Sequence, residues 1–169
     1  INWTTITAPS GGTTTYAYTL ATSITAGGEY VIVGNDHAVA LQGTTSMGTQ
    51  SVTINGTTMT STTELTLWTF SNPSSGTIYN GTRYLRYSTS GWSGSFNLST
   101  SSSTLTFTDN GSDFRIQSGN YSFYYDGSSW TRSGRKTAQY VRLYVRNEDG
   151  DVTVGGNPGL YTKLEGGLT

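Results

Sequence analysis

Three stretches of the chain read as copies of one another. They are Ile24-Thr-Ala-Gly-Gly-Glu-Tyr30-Val-Ile-Val33, Ile78-Tyr-Asn-Gly-Thr-Arg-Tyr84-Leu-Arg-Tyr87 and Ile116-Gln-Ser-Gly-Asn-Tyr121-Ser-Phe-Tyr-Tyr125. Each holds an Ile, a turn containing Gly, a Tyr and a strand-like run, and self-similarity of this kind constrains architecture more than local propensity does. Tyr84 to Tyr121 spans 37 residues, while Tyr30 to Tyr84 spans 54 and contains a low-complexity tract, Thr44–Thr63, of the size needed to account for the excess. A second marker keeps the same beat: Phe70 to Phe107 and Phe107 to Tyr144 are each 37 residues.

Short strands at regular spacing between turn signals fit a sandwich or a barrel. Three repeats of about 37 residues point to a β-trefoil, in which lobes close a barrel around a shared core and few sheet edges remain. An immunoglobulin-like β-sandwich is the alternative. The trefoil places Ile24, Ile78 and Ile116, then Tyr30, Tyr84 and Tyr121, then Phe70, Phe107 and Tyr144 in that core. The insertion in lobe one reads as a β-hairpin that turns at Asn55-Gly56 and returns through Met59, because Asn-Gly favours tight hairpin turns. Residues 1–15 read as an N-terminal strand or linker, 16–148 as the trefoil domain, and 149–169 as an extension or the start of a following module.

Composition narrows the classes. Only 11% of residues are charged, with 9 basic and 10 acidic, while Tyr numbers 12 and Gly 22. Thr and Tyr favour strands. The basic residues form no stripe, and Arg132, Arg135 and Lys136 read as a solvated loop, so no nucleic-acid partner is expected. No apolar run is long enough to cross a membrane, so no membrane insertion is expected. The chain has no Cys, which excludes disulfides and thiolate metal sites. No metal site and no cofactor are expected.

The phrase from Tyr18 to Val33, followed by Trp68-Thr-Phe70, Gly76-Thr-Ile78 and Tyr84-Leu85, resembles repeat modules in large surface proteins of gut Firmicutes. The resemblance covers about residues 16–146. It implies a bacterial module, monomeric within a longer chain and extracellular or attached to the cell wall. The broader similarity is to ricin-type and fascin-like trefoils. The ricin-type Gln-x-Trp signature is absent, so no sugar ligand carries over.

Catalytic groups are sparse. His37 is the single His, and its neighbour Asp36 would point to the opposite face on a regular strand unless a turn redirects it. The acidic residues Asp109, Asp113, Asp126, Glu148, Asp149 and Asp151 all read as turn formers. A non-enzymatic binding role is therefore expected, with no catalytic residues. Sugar recognition needs an aromatic face and hydrogen-bonding groups beside it. The segments after the repeated Tyr strands offer both: Asp36 and His37 in the first, Tyr87 and Trp92 in the second, Tyr125, Asp126 and Trp130 in the third. Trp92 and Trp130 stand in Gly/Ser-rich stretches, where an indole either stacks on a ligand or folds back to cap the core. The expected partner is a glycan or a host surface glycoprotein. A protein-binding adhesin, an immune-protein binder and a structural spacer are the competing functions.

Overall fold

A computed structural model describes residues 13–42, 46–91 and 93–154. The expected N-terminal segment up to residue 12, the position of Trp92 and the segment from 155 onward lie outside the described residues. Among the described residues there are sixteen strands and no helix, so none of them forms a helix long and apolar enough to cross a membrane.

The strands up to the insertion are β1 (Thr13–Leu20), β2 (Gly28–Gly34), β3 (His37–Gln42), β4 (Ser46–Ser51), β5 (Thr53–Asn55) and β6 (Thr58–Ser61). Then come β7 (Trp68–Phe70), β8 (Ser75–Gly76), β9 (Ile78–Tyr79), β10 (Tyr84–Ser90) and β11 (Ser93–Ser99). The rest are β12 (Leu105–Asp109), β13 (Phe114–Ser118), β14 (Tyr121–Tyr125), β15 (Trp130–Arg132) and β16 (Arg142–Val154). Eleven strands make one antiparallel sheet in the order β11-β10-β9-β7-β2-β16-β1-β6-β5, with β3 attached to β2 and β4 to β3. Five make a second sheet, β15-β14-β13-β12-β8. No barrel closure is seen among the described residues. β1 and β16 pair from Thr13 opposite Val154 to Leu20 opposite Tyr144, so this ladder runs past residues 15 and 148.

Strand β2 divides the interior. Its central residues Tyr30, Val31, Ile32 and Val33 are all buried, as an unbroken apolar run is when both faces of a strand are covered. Tyr30 and Ile32 enter a large cluster with Trp68, Phe70, Leu85 and Phe96 of the first sheet and Phe107, Ile116 and Phe123 of the second. Val31 and Val33 face the other way, onto Tyr18, Met59, Leu65 and Tyr144. The Tyr18 hydroxyl accepts the Leu65 N–H at 3.0 Å, which ties the loop before β7 to this smaller cluster. The insertion hairpin forms as expected: Ile54 pairs with Met59, and Gly56 takes a φ of 65° at the turn.

Seven of the nine residues expected in the core are buried, but Tyr84 and Tyr121 are only half-buried. The copies are alike in residue type and differ in face. Tyr30 is followed by Val-Ile-Val, apolar on both sides. Tyr84 is followed by Leu-Arg-Tyr, whose alternation buries Leu85 and turns Tyr84 and Arg86 outward. The second and third copies are local hairpins, Tyr79 opposite Tyr84 and Ser118 opposite Tyr121, whereas Gly28 after Ile24 pairs with distant Phe70. Tyr144 also departs from its expected set, since it belongs to the smaller cluster while Phe70 and Phe107 touch at 4.9 Å in the larger one.

Because Ile32 fills the seam between the two sheets, Ile32→Ala should cost about 2–5 kcal/mol in urea unfolding. Glu29→Gln on the same strand, being exposed, should change stability by less than about 0.5 kcal/mol. Equal small effects would disprove the division of the interior by β2.

Candidate functional site

The turn from β2 to β3 holds Asn35 at a φ of 54°, the one positive value at a non-glycine among the described residues. Asn tolerates this region better than most residues do. The turn swings Asp36 back so that its Oδ1 lies 2.8 Å from His37 Nδ1. The turn thus redirects Asp36 toward its neighbour, which a regular strand would not do. Nδ1 nevertheless lacks an aligned hydrogen-bond partner, so this is a close polar contact without hydrogen-bond geometry. On its other side His37 Nε2 is 3.4 Å from Ser51 Oγ, its register partner on β4.

His37 then lies flat on Tyr125, with centroids 4.7 Å apart and planes at 22°. Tyr125 meets Trp130 at 5.6 Å. Gly34 permits this approach: a Cβ there would fall 2.7 Å from Tyr125 Cβ and 3.2 Å from Trp130 Cη2. Four of the expected site residues, Asp36, His37, Tyr125 and Trp130, therefore meet although they come from the first and third copies.

Trp130 does not stand on an exposed loop. It opens β15 opposite Tyr125, is 8% exposed, and stacks on Phe123 at 5.0 Å and 20°. Phe123 already covers it, so its stacking energy is spent in the core, and its Nε1 donor is buried without a partner. Asp126 is exposed and works as a turn former. Its Oδ1 accepts the N–H groups of Ser128 at 2.9 Å and Ser129 at 2.8 Å and the Ser128 hydroxyl at 3.1 Å. The N–H of Ser129, then that of Ser128, holds the carboxyl below the usual carboxylate range. Asn80 builds the same turn with Thr82 and Arg83, and Gly81 and Gly127 share a φ of 101°.

Tyr87 lies elsewhere. It stacks on Tyr121 at 5.6 Å and meets Phe96 edge-on at 5.0 Å, while Arg132 lies over Tyr121 at 4.4 Å. Burial pushes its phenol above the ordinary value; Arg132 opposes the rise and Tyr121 adds to it. Phe96 touches Phe123 at 5.2 Å, so an aromatic chain links Tyr87 to the distant His37.

Between the β3–β4 hairpin and the β14–β15 turn lies a cleft of about 500 Å³, lined by Ala40, Met47, Gly48, Thr49, Gln50, Ser128, Ser129 and Trp130. No lining residue is charged. Sequence reasoning missed its β4 wall, because Ser-Met-Gly-Thr-Gln-Ser carries no aromatic or charged marker. The Asp126 turn positions Ser128 and Ser129 opposite that wall. The Asp36–His37–Ser51 trio beside it has the residue types of a hydrolytic triad. Its carboxylate side chain is 71% exposed and Ser51 is exposed too, which leaves the trio in water rather than in the dry pocket such chemistry uses. No protein family, curated protein or solved structure matches the chain.

Two outcomes follow. Trp130→Ala should destabilise the fold by about 3–5 kcal/mol, as truncation of a buried aromatic does; a near-neutral melting temperature would return Trp130 to the surface. The Asp126 carboxylate should stabilise its turn at neutral pH, because its folded-state pKa is lowered. That contribution is present above the ordinary carboxylate pKa and is lost as pH falls through the lower, folded value. Amide shifts of Ser128 and Ser129 followed by NMR during acid titration should therefore turn over below the ordinary Asp midpoint, and a midpoint at or above it would contradict the hydrogen-bonded turn.

Proposed function

We propose that the chain is an extracellular, non-enzymatic binding module that recognises a carbohydrate in the cleft between the β3–β4 hairpin and the β14–β15 turn. The observation that carries this reading is the cleft's lining: uncharged amide and hydroxyl groups on both walls, beside the apolar surfaces of Met47, Ala40 and Trp130. A pyranose ring has the matching pattern, with an apolar face and a rim of hydroxyls. Gln50 and Thr49 act from one wall and Ser128 and Ser129 from the other. Asp126 orders the second wall, and Asp36, His37 and Tyr125 brace the first. Trp130 offers only its exposed edge, since its ring face is occupied by Phe123 and its N–H is buried. A cleft of this size falls within the range of small-ligand sites. Single-site affinity is weak, and tandem copies raise it by avidity.

Location at a bacterial cell surface rests on the resemblance to Firmicutes repeat modules. Of the finer architectures, the shared cluster between the two sheets favours the β-sandwich over the three-lobed trefoil. A second reading, a protein-binding adhesin, draws support from β4. Among the described residues it pairs only with β3, which leaves its other edge unpaired among them, and four consecutive β4 residues line the cleft. An extended peptide adds to such an edge through main-chain hydrogen bonds.

A glycan array followed by calorimetry tests the primary reading. Gln50→Ala should weaken binding of an array hit by about three- to tenfold, the loss of one hydrogen bond at a buried site, with an unchanged melting temperature. No hit on the array, together with binding to a deglycosylated host protein, would replace the sugar reading with the edge-strand one.

A further inference from the structure

The outer face of the large sheet carries a row of side chains in direct register. Glu29 on β2 stands opposite Thr69 on β7, Thr69 opposite Tyr79 on β9, Tyr79 opposite Tyr84 on β10, and Tyr84 opposite Ser99 on β11. Side chains alternate along a strand, and the neighbours Tyr30, Phe70, Ile78 and Leu85 point into the large cluster. The row therefore faces away from it. The Tyr79 and Tyr84 rings lie 4.6 Å apart at 41°, both half-buried. At the Glu29 end the face deepens into a cleft of about 480 Å³, walled by Glu29, Glu64, Thr66, Thr69, Tyr79 and Asn80.

The hydrogen-bonding state of this cleft is definite. Asn80 Oδ1 accepts the Thr82 N–H at 2.9 Å, the Thr82 hydroxyl at 3.0 Å and the Arg83 N–H at 2.9 Å. Those donors decide which end of the amide is oxygen, so the other end is the NH₂, whose Nδ2 is buried without a partner beneath the cleft wall. The Tyr79 hydroxyl donates to Gly81 O at 2.8 Å, which holds the ring in place. Glu64 is engaged by Arg146 at 2.6 Å, whereas Glu29 is exposed and has no ion pair among the described residues. The face thus presents a free carboxylate acceptor and the Tyr79 ring in the cleft, with the Tyr84 ring adjoining Tyr79 beside it.

We propose that this face is a second saccharide site, separate from the cleft beside Trp130, and that it takes a neutral pyranose oligomer. The Tyr79 and Tyr84 rings carry the apolar faces of successive sugar units. Glu29 accepts hydroxyl donors, and Asn80, through its turn, fixes the rim of the cleft. The unpaired carboxylate repels sulfated and carboxylated sugars, which sets the ligand class. None of these groups belongs to the first cleft, so the inference does not rest on the function proposed above.

The test titrates the whole chain separately with maltohexaose, cellohexaose, N-acetylchitohexaose and a heparin-derived hexasaccharide, following the Tyr79 and Tyr84 ring resonances by NMR and the affinity by calorimetry. At least one neutral hexaose should shift both rings, and the heparin fragment should shift neither. Glu29→Gln and Tyr84→Ala should each weaken that hexaose by about tenfold, the loss of one charge-assisted hydrogen bond or one ring contact, with Gln50→Ala leaving these rings responsive. Glu29→Gln keeps the side chain's shape, so it remains informative if Tyr84→Ala lowers the melting temperature. The inference is overturned if no neutral hexaose moves these rings, if heparin moves them, or if both variants bind like the parent. Binding lost only in Gln50→Ala would remove this site and leave the first cleft standing. The reverse pattern would remove the first cleft and leave this site.

Discussion

The apolar run of β2, covered on both faces, is the constraint on which the remainder of the structure rests. A strand with Tyr30 and Ile32 on one side and Val31 and Val33 on the other needs two separate coverings. The second sheet supplies one, and β1, β6 and the loop before β7 supply the other. Burial of apolar area is the main favourable contribution to folding, so these four residues join the long sheet, the small sheet and the insertion hairpin into one body. The two clefts lie toward opposite ends of this strand: the first past the Gly34 turn, the second beside Glu29 near its start. Each is shaped by backbone that β2 holds in place.

Polar order sits at the turns, and it follows one rule. An Asx side chain followed by Gly accepts two successive backbone N–H groups, at Asn80 and again at Asp126. Each turn presents its next residues to a cleft, Ser128 and Ser129 to one and Asn80 and Gly81 to the other. The two turns do not occupy equivalent places in the copies, since Asn80 precedes Tyr84 within the second copy whereas Asp126 follows Tyr125 at the end of the third. Both close the same kind of antiparallel hairpin, Tyr79 opposite Tyr84 and Tyr125 opposite Trp130, so the turn chemistry follows the hairpin and not the repeat.

What could be read from sequence depended on whether the signal was local. The β5–β6 hairpin was legible because Asn55-Gly56 is a self-contained turn flanked by Ile54 and Met59. The role of Asp126 as a turn former was legible for the same reason. Tyr84 and Tyr121 misled because residue type is visible in a chain while the face a strand presents depends on its partners. Trp130 misled because its Gly-Ser-Ser run ends one residue before it, so the indole begins a strand opposite Tyr125 rather than ending a loop. The β4 wall had no legible signal: Gly48, Thr49 and Gln50 acquire meaning only when a hairpin more than seventy residues further on is laid across from them. The outer row from Glu29 to Ser99 was hidden likewise, since it is assembled from cross-strand register alone.

The β1–β16 ladder has a mechanical consequence. Thr13 and Val154 are partners in it, side by side at one end. Tension applied between those two residues reaches the hydrogen bonds of the ladder in sequence, opening them like a zip fastener instead of loading them together in shear. A body attached through these two points hangs to the side of the pulling line, with its sheets largely spared until that seam has parted.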